Sequence, residues 1–272
     1  MTGLRFTILG CGSSGGVPRI GGDWGACDPS DARNRRRRCS MLVERIAPDG
    51  GITRVLIDAS PDLREQLLSA GVGELDAVVF THSHADHCHG LDDLRMIVIA
   101  MRRILPVWAD EATARALLHR FDYAFETPPG SDYPPILSMN RIDGPVRVTG
   151  AGGEIRLDPF SVGHGSIDAL GFRVGGLAYL PDVGRMTEAA WDAVDGLDIW
   201  VVDALRRRPH PSHSHLAQTL EWIARAAPRR AVLTNMHNDL DYATVAAETP
   251  DHVAPAFDGM VLTLPAPPDT PA

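Results

Sequence analysis

The stretch Thr81-His82-Ser83-His84-Ala85-Asp86-His87 decides how this chain is interpreted. It places three imidazoles and one carboxylate within six consecutive residues. The apolar run Leu75–Phe80 precedes it and predicts a buried strand, so the cluster follows a strand's C-terminal end, where α/β proteins usually carry their chemistry. On a tight turn the four side chains can divide into two sets that face separate divalent cations. Neutral imidazole and carboxylate suit zinc, manganese or iron.

Three further candidate ligands each follow a predicted strand. His164 ends a strand-like segment and has glycine on both sides, which lets the backbone turn the imidazole inward. Asp182 ends a hydrophobic hairpin strand, and a carboxylate there can bridge two cations. His237 follows the strand Ala231–Leu233 and can complete the shell of a second ion.

Strands and helices alternate twice along the chain. The first half predicts strands followed by helices, at Leu4–Leu9, Ser40–Ile46 and Arg54–Ile57, then Pro61–Ala70, Gly90–Ile104 and Glu111–His119. The second half repeats the pattern, with strands from Val146 onward and helices at Thr187–Val194 and Leu216–Ala227. This repetition predicts an α/β fold of the αββα sandwich type, with two sheets face to face and helices outside. We expect residues 1–264 to form a single domain and the Pro-rich tail 265–272 to be disordered.

Composition excludes several classes of protein. The 272 residues are 44% hydrophobic, enough to bury one large core or two fused half-domains. The net charge of −9 argues against a nucleic-acid partner. The four cysteines are too few for a disulfide framework, and no apolar run is long enough to span a membrane. We therefore expect a cytoplasmic protein with no membrane partner.

The order of these motifs resembles the metallo-β-lactamase superfamily. His-x-His-x-Asp-His is followed by His, Asp and His, each after a strand, and Asp58 in Leu56-Ile57-Asp58 is similar to an upstream aspartate that supports the histidine turn. The resemblance implies two divalent metal ions, zinc or manganese, held in a metallo-β-lactamase fold. It places His82, His84 and His164 on one ion and Asp86, His87 and His237 on the other, with Asp182 bridging.

Further motifs resemble one branch of that superfamily. Leu9–Pro18 and the loop ending at Arg38-Cys39-Ser40 look like the ribonuclease Z-like branch. Within it, His89–Arg95 and His210–His213 are most similar to the phosphoribosyl 1,2-cyclic phosphate phosphodiesterases of phosphonate breakdown. Those relatives bind a structural zinc through a cysteine-rich loop and a histidine after the last motif. Here the loop offers only Cys27 and Cys39, so buried thiols are favoured, although a structural metal stays open.

The predicted function is a dinuclear metal-dependent phosphodiesterase that hydrolyses a small cyclic or ribosyl phosphate. A metal-bridging hydroxide attacks phosphorus, with Asp86 and Asp182 as the catalytic carboxylates. The leaving group needs a proton, for which His213 is the first candidate and His215 the second, since both precede a helix N-terminus. Ser13 and Ser14 are candidate substrate contacts. Arg38 ends the run Arg35–Arg38, which is either a solvated turn or a phosphate clamp.

Two other activities fit the same fold. A ribonuclease Z-like RNA-processing enzyme would carry a flexible basic arm, which the sequence does not show, and the acidic balance opposes it. A thioester or lactone hydrolase could use the same metal ions. A metal-binding module without turnover is disfavoured because every ligand position is filled. The relatives also suggest a homodimer.

Overall fold

The computed structural model describes residues 3–127 and 129–265, so the predicted disordered tail lies outside the described residues from position 266 onward. The described chain forms two mixed β-sheets of seven strands each, together with helices. The predicted two-sheet α/β architecture is therefore confirmed.

The first sheet has the strand order β14-β1-β2-β3-β4-β5-β6. Its strands are β1 (Gly3–Gly10), β2 (Ser40–Ile46), β3 (Ile52–Ile57), β4 (Ala77–Val79), β5 (Leu105–Ala109), β6 (Leu137–Arg141) and β14 (Val261–Leu264). The second sheet has the order β13-β12-β11-β10-β9-β8-β7. Its strands are β7 (Val146–Gly150), β8 (Gly153–His164), β9 (Ile167–Val174), β10 (Leu177–Leu180), β11 (Ile199–Asp203), β12 (Arg230–Thr234) and β13 (Val253–Pro255).

The helices are short. They are α1 (Leu63–Ala70), α2 (Ala85–Cys88), α3 (Leu94–Met101), α4 (Glu111–Arg120), α5 (Asp122–Phe125), α6 (Glu188–Ala193), α7 (Leu216–Ala226) and α8 (Tyr242–Glu248), with 3₁₀-helices at Ala32–Asn34 and Leu91–Asp93. Within the described ranges, none of these helices combines the length and the apolar character that a membrane span needs.

The chain divides into two compact units. Of the described residues, the first unit contains 3–7, 40–127, 129–156 and 261–265, and the second contains 8–39 and 157–260. In the first unit, β3, β4 and β5 run parallel, and the apolar residues of β4 are fully buried, as expected for parallel strands covered on both faces. The carboxyl ends of β3 and β4 carry Asp58 and the histidine cluster.

The second unit has a similar arrangement of strands. β9 and β10 form an antiparallel hairpin through Gly175 and Gly176, and β10, β11 and β12 then run parallel. The residues of β10 and β11 are all buried. The carboxyl ends of these three parallel strands bring Asp182, Asp203 and Asn235 to one edge of the sheet.

Several predicted elements differ from the structure. The predicted helix Gly90–Ile104 is wrong as a single element: a 3₁₀-turn precedes α3, and Arg102 ends α3 with a left-handed φ of 53°. The strand-like segment that ends at His164 is the last part of a longer continuous strand, β8. The sequence reasoning missed β6, β13, α5 and α8, which are three to seven residues long and carry little periodicity.

Candidate metal-binding residues

Asp58 organises the histidine cluster of the first unit. It follows β3 with a left-handed φ of 63° and is fully buried. Its two carboxylate oxygens accept hydrogen bonds from Thr81 N–H (2.8 Å), Thr81 Oγ1 (2.8 Å) and His87 Nδ1 (2.7 Å). Burial raises the pKa of Asp58, and the neighbouring His87 acts in the opposite direction. The predicted supporting role of this aspartate matches these contacts.

The same carboxylate reaches a second histidine through Thr81. Thr81 Oγ1 donates to Asp58, so it can accept from His82 Nδ1, which lies 3.0 Å away. His82 and His87 therefore both carry their hydrogen on Nδ1 and present the lone pair of Nε2. This tautomer is the one that a metal-ligating histidine adopts when an oxygen holds its other nitrogen.

The other two residues of the motif lie beside these histidines. The ring centroids of His82 and His84 are 4.6 Å apart, and those of His82 and His87 are 4.3 Å apart. Asp86 lies in α2 with Oδ2 at 3.6 Å from His87 Nε2. The first unit thus brings all four residues of the motif together.

An open cleft lies next to His84. Its volume is about 550 Å³, and its lining includes His89, His119, Arg120 and Phe121. The size matches a small molecule, and the lining can carry positive charge. None of these four residues figured as a substrate contact in the sequence reasoning.

In the second unit, His164 ends β8 with its orientation fixed by a backbone carbonyl. Its Nδ1 lies 2.8 Å from Ser212 O, and because a carbonyl only accepts, Nδ1 carries the hydrogen. Its Nε2 lies 3.4 Å from Asp182 Oδ2. His164 and Asp182, both buried, are therefore brought together with the histidine's lone pair toward the carboxylate.

Two glycines allow Ser212 to approach His164. A Cβ built on Gly165 would lie 2.8 Å from Ser212 Cβ, and one on Gly184 would lie 2.8 Å from Ser212 O. Gly165 also has a φ of +62°, where a side chain is strained. The glycine after His164 therefore serves the packing of its hydrogen-bond partner as well as the turn.

Asn235 and Asp203 form a buried network around Asp182 and His213. Asn235 Nδ2 donates to Asp182 Oδ1 (3.0 Å) and to Asp203 Oδ1 (3.3 Å). Asp203 Oδ2 accepts from His213 Nδ1 at 2.9 Å. The His213 ring also stands edge-on to His164, with centroids 4.6 Å apart. The predicted catalytic residues Asp182 and His213 thus share one hydrogen-bond network.

Burial raises the pKa of Asp203 to about 6, and the charge and hydrogen bond of His213 act against this rise. The hydrogen bond from His213 Nδ1 to Asp203 Oδ2 holds the orientation of the imidazole ring.

His237 follows β12 and has a partner on each ring nitrogen. Its Nδ1 lies 3.5 Å from Asp239 Oδ1, which is long for a hydrogen bond but close enough for electrostatic attraction. Burial acts to raise the pKa of Asp239, but His237 and the backbone N–H of Arg207 outweigh it, and the pKa is lowered. His237 Nε2 contacts Arg19 Nη2.

The donor set fits a divalent cation. An oxygen lies at Nδ1 of four of the predicted ligands: His82, His87, His164 and His237. The lone pair of Nε2 is then the one that could bind a metal, and in His237 the Arg19 guanidinium contacts it. Imidazole nitrogens with carboxylates suit zinc and manganese, and oxygen partners behind metal-binding histidines are the usual supporting arrangement.

The remaining predicted site residues lie in different surroundings. His215 is the N-cap residue of α7, and its side chain makes no capping bond. Ser13 is buried and donates its N–H to Met236 O, whereas Ser14 is exposed. Arg38 is half-buried, with Nη1 at 3.6 Å from the position of a Cβ on Gly16.

Three other arginines are held by partners within the protein. Arg36 is buried and donates to the carbonyl of Leu240, and Arg37 pairs with Asp258. Arg207 pairs with Glu248. Of the run Arg35–Arg38, Arg36 and Arg37 are thus held by contacts within the protein, which disfavours them as phosphate clamps.

The cysteines in question are buried thiols. Burial raises the pKa of Cys27, with the nearby Arg36 guanidinium opposing, and burial raises the pKa of Cys39 well above its ordinary value. A thiol must ionise to bind a metal, and a buried guanidinium beside Cys27 repels a cation. The geometry supports the buried-thiol interpretation over a structural metal.

Sequence reasoning missed Asp203, Asn235 and Arg19. Asp203 had a visible signal, since it ends an apolar strand just as Asp58 and Asp182 do. Asn235 has a left-handed φ of 58° after β12, and asparagine tolerates that conformation. Arg19 had no such signal, because only tertiary structure places it against His237.

Comparison with known proteins agrees with this geometry. The family model described as a β-lactamase superfamily domain matches residues 53–236. A crystal structure of a new diphosphatase from the PhnP family is 35% identical, with a TM-score of 0.85, and the match covers 96% of this chain and 97% of that one. The chain belongs to the metallo-β-lactamase superfamily and, within it, to the PhnP family.

Two other relatives are informative. A protein named octanoyltransferase from Porphyromonas gingivalis (strain ATCC BAA-308 / W83) is 33% identical over 263 residues, which are 94% of this chain and 51% of that protein. The chain thus spans about half the length of this relative. The zinc-bound PqqB from Methylobacterium extorquens is 20% identical with a TM-score of 0.71, covering 96% of this chain and 100% of that one, and shows the shared fold.

Proposed function

We propose that this chain is a dinuclear metal-dependent phosphodiesterase acting on a small cyclic or ribosyl phosphate. The observation that carries the proposal is the 35% identity, across almost the whole chain, to a protein described as a diphosphatase. Oxygen-anchored histidines at the expected ligand positions add support. Together they favour a metal-dependent hydrolase of phosphate esters over the thioester or lactone alternative.

The proposed ligand assignment follows the superfamily resemblance. His82, His84 and His164 would hold one ion, Asp86, His87 and His237 the other, and Asp182 would bridge them. When bound, two such ions would supply Lewis acidity and a hydroxide nucleophile at neutral pH. Zinc and manganese both suit this donor set.

The protein's own residues then have separate tasks. Asp58 and Thr81 hold His82 and His87 in the ligand tautomer, and Ser212 O does the same for His164. His213 gives a proton from Nε2 to the leaving oxygen while Asp203 stabilises its charged ring. We propose His213 rather than His215 for this role because only His213 has a carboxylate partner in the network described above.

The substrate is proposed to be small and anionic. The cleft of about 550 Å³ beside His84 is lined by His119 and Arg120, which suits a phosphorylated sugar or a second phosphate group. Ser13, Ser14 and Arg38 stay proposed substrate contacts, and the backbone N–H of Ser13 already donates to Met236 O. The net charge of −9 disfavours an RNA substrate. A cytoplasmic location and a homodimer also stay predictions.

The test compares phosphoribosyl 1,2-cyclic phosphate, a diphosphate ester and bis(p-nitrophenyl) phosphate on manganese- or zinc-loaded protein. Efficient opening of the cyclic phosphate is expected. Preference for the diphosphate ester would keep the chemistry and change the substrate. If all three are inert while a thioester or lactone is cleaved, the phosphodiesterase proposal is wrong.

A matched pair of variants accompanies this test. Asp182→Ala and His237→Ala should abolish turnover with little change in the circular dichroism spectrum, because each removes one metal ligand. Retained turnover in either variant would contradict the two-ion proposal.

A further inference from the structure

Arg19 lies against a predicted metal ligand although no sequence motif marked it. Its Nη2 contacts His237 Nε2, and its Nη1 is 4.0 Å from Asp23 Oδ2. Arg19 N–H donates to Asp23 O, which closes a hairpin over Ile20–Gly22. Asp23 is tied in turn to Asn238 Nδ2 at 3.1 Å. The hairpin therefore presents Arg19 at one defined place.

Two arginine side chains lie against the glycine turn before this hairpin. A Cβ on Gly15 would lie 3.4 Å from Arg19 Cγ and 3.6 Å from Arg19 Nε. On the next residue, a Cβ on Gly16 would lie 3.6 Å from Arg38 Nη1. Adjacent glycines thus have one arginine beside each of them, at the exposed Ser14 end of the turn.

The contact between Arg19 and His237 has a chemical consequence. A guanidinium only donates, so His237 Nε2 must accept through its single lone pair. That lone pair serves either Arg19 or a metal ion, but not both. A cation held by His237 would therefore displace the Arg19 guanidinium toward the Ser14–Gly16 turn. There its partners would be Asp23, which is half-exposed, and any bound anion.

We propose that Arg19 binds the phosphate group of the substrate, moving from His237 to the anion when the metal site is loaded. The inference rests on the proposed phosphodiesterase function and adds a specificity-determining residue to it. Arginine suits the task because its planar fork matches two phosphate oxygens. Arg38, on the other side of the glycine turn, is placed to share the same anion.

The test measures two equilibria on Arg19→Ala, Arg19→Lys and wild type. The first is the dissociation constant of inorganic phosphate for manganese-loaded protein, by calorimetry. The second is the manganese affinity of metal-free protein, by competition with a chelator. Arg19→Ala should weaken phosphate binding about 10- to 100-fold. It should leave manganese binding unchanged or tighter, because a competitor for His237 is removed. Arg19→Lys should recover part of the phosphate affinity.

The control is Arg33→Ala, an arginine on the same loop that pairs with Asp31. Its phosphate and manganese affinities should equal those of wild type. If Arg19→Ala weakens both equilibria together, Arg19 merely supports the fold, and the inference is overturned. Unchanged phosphate affinity in Arg19→Ala overturns it as well.

Failure of the inference and failure of the proposed function give different results. Wild type that cleaves diesters, with Arg19→Ala equally active, removes only the role of Arg19. Wild type that cleaves no phosphate ester and binds no phosphate removes both.

Discussion

Asp58 in the first unit and Asn235 in the second each follow a strand of their own sheet and share an unusual backbone conformation. Each is buried, follows a parallel strand and adopts a left-handed backbone, with φ of 63° and 58°. Each aims a polar side chain at residues from other strand ends. Asp58 serves a contiguous motif through Thr81 and His87, whereas Asn235 joins Asp182 and Asp203, which come from two different strands.

The difference shows how a metal-binding arrangement can be built locally or from a distance. In the first unit, one carboxylate suffices because the predicted ligands lie within six consecutive residues. In the second, the predicted ligands are dispersed along the chain. Asn235 holds the carboxylates of Asp182 and Asp203, and Asp203 orients His213. We expect single substitutions in the second unit to reduce mainly the catalytic turnover. We expect single substitutions in the first unit to reduce mainly the metal affinity.

The largest effect is expected from Asp203→Asn. The amide can still accept from His213 Nδ1 but no longer stabilises a charged ring, so kcat should fall by about 10²- to 10⁴-fold. Metal content should stay at the wild-type level. In the double variant with His213→Gln, little further loss is expected, because the two residues act as one unit. A kcat within a few-fold of wild type would show that His213 does not act through Asp203.

Asp58→Ala tests the arrangement of the histidine cluster in the first unit. Without the carboxylate, His87 and Thr81 lose their shared acceptor, and metal affinity should fall about 10- to 100-fold. Asp58→Asn keeps an acceptor oxygen and tolerates the left-handed backbone, so its loss should be smaller. Metal competition with a chelator checks both variants. Equal losses in the two would indicate that the negative charge of Asp58, which both variants remove, matters more than the acceptor oxygen or the backbone conformation.

Gly165→Ala tests the approach of Ser212 to His164 in the second unit. The added Cβ meets Ser212 Cβ at 2.8 Å and is strained at φ +62°, so the free energy of unfolding should fall by about 1–3 kcal/mol. Gly73→Ala is the matched control, because nothing lies within 4 Å of its Cβ. Urea unfolding of both variants measures the difference. Similar stabilities would remove the packing argument for Gly165.

The smallest expected effect is the loss of stability on substitution of Asp241, which contacts the loop that carries Arg19 and Arg36. Asp241 caps α8 and also accepts from Asp28 N–H and Asn34 Nδ2. Desolvation acts to raise the pKa of Asp241, but these hydrogen bonds and those of Thr244 lower it to about 2. Asp241→Ala should reduce stability by about 1 kcal/mol at neutral pH, as the loss of a helix cap does.

The sign of the pH dependence follows from that lowered pKa. The stability that Asp241 contributes is present above its unfolded pKa near 4 and is lost as the pH falls through about 2. Urea midpoints of wild type and Asp241→Ala should therefore converge between pH 4 and pH 2. A constant gap across that range would show that the charge of Asp241 is not what stabilises the loop.

The same comparison explains what could be predicted from the sequence. The contiguous motif of the first unit is visible in the sequence, and the order of His164, Asp182 and His237 could be matched to a known family. The atoms that hold these side chains in place could not be predicted. Ser212 O reaches His164 across 48 positions, and only the fold brings these two atoms together.

Backbone conformation set the other limit. The left-handed φ of Asn235 is not visible in its neighbours, and the same holds for Arg102, whose φ of 53° ends a helix that periodicity alone would continue. Arg19 illustrates the third limit. It follows Pro18 and precedes Ile20-Gly21-Gly22, a pattern typical of a solvated turn, and only the fold places it beside His237.

The most direct test titrates metal-free protein with manganese while following hydrolysis of bis(p-nitrophenyl) phosphate. If both ligand sets act together, activity should rise until two equivalents per chain are bound and then stay constant. Saturation at one equivalent, or hydrolysis that persists in fully metal-free protein, would contradict the dinuclear phosphodiesterase.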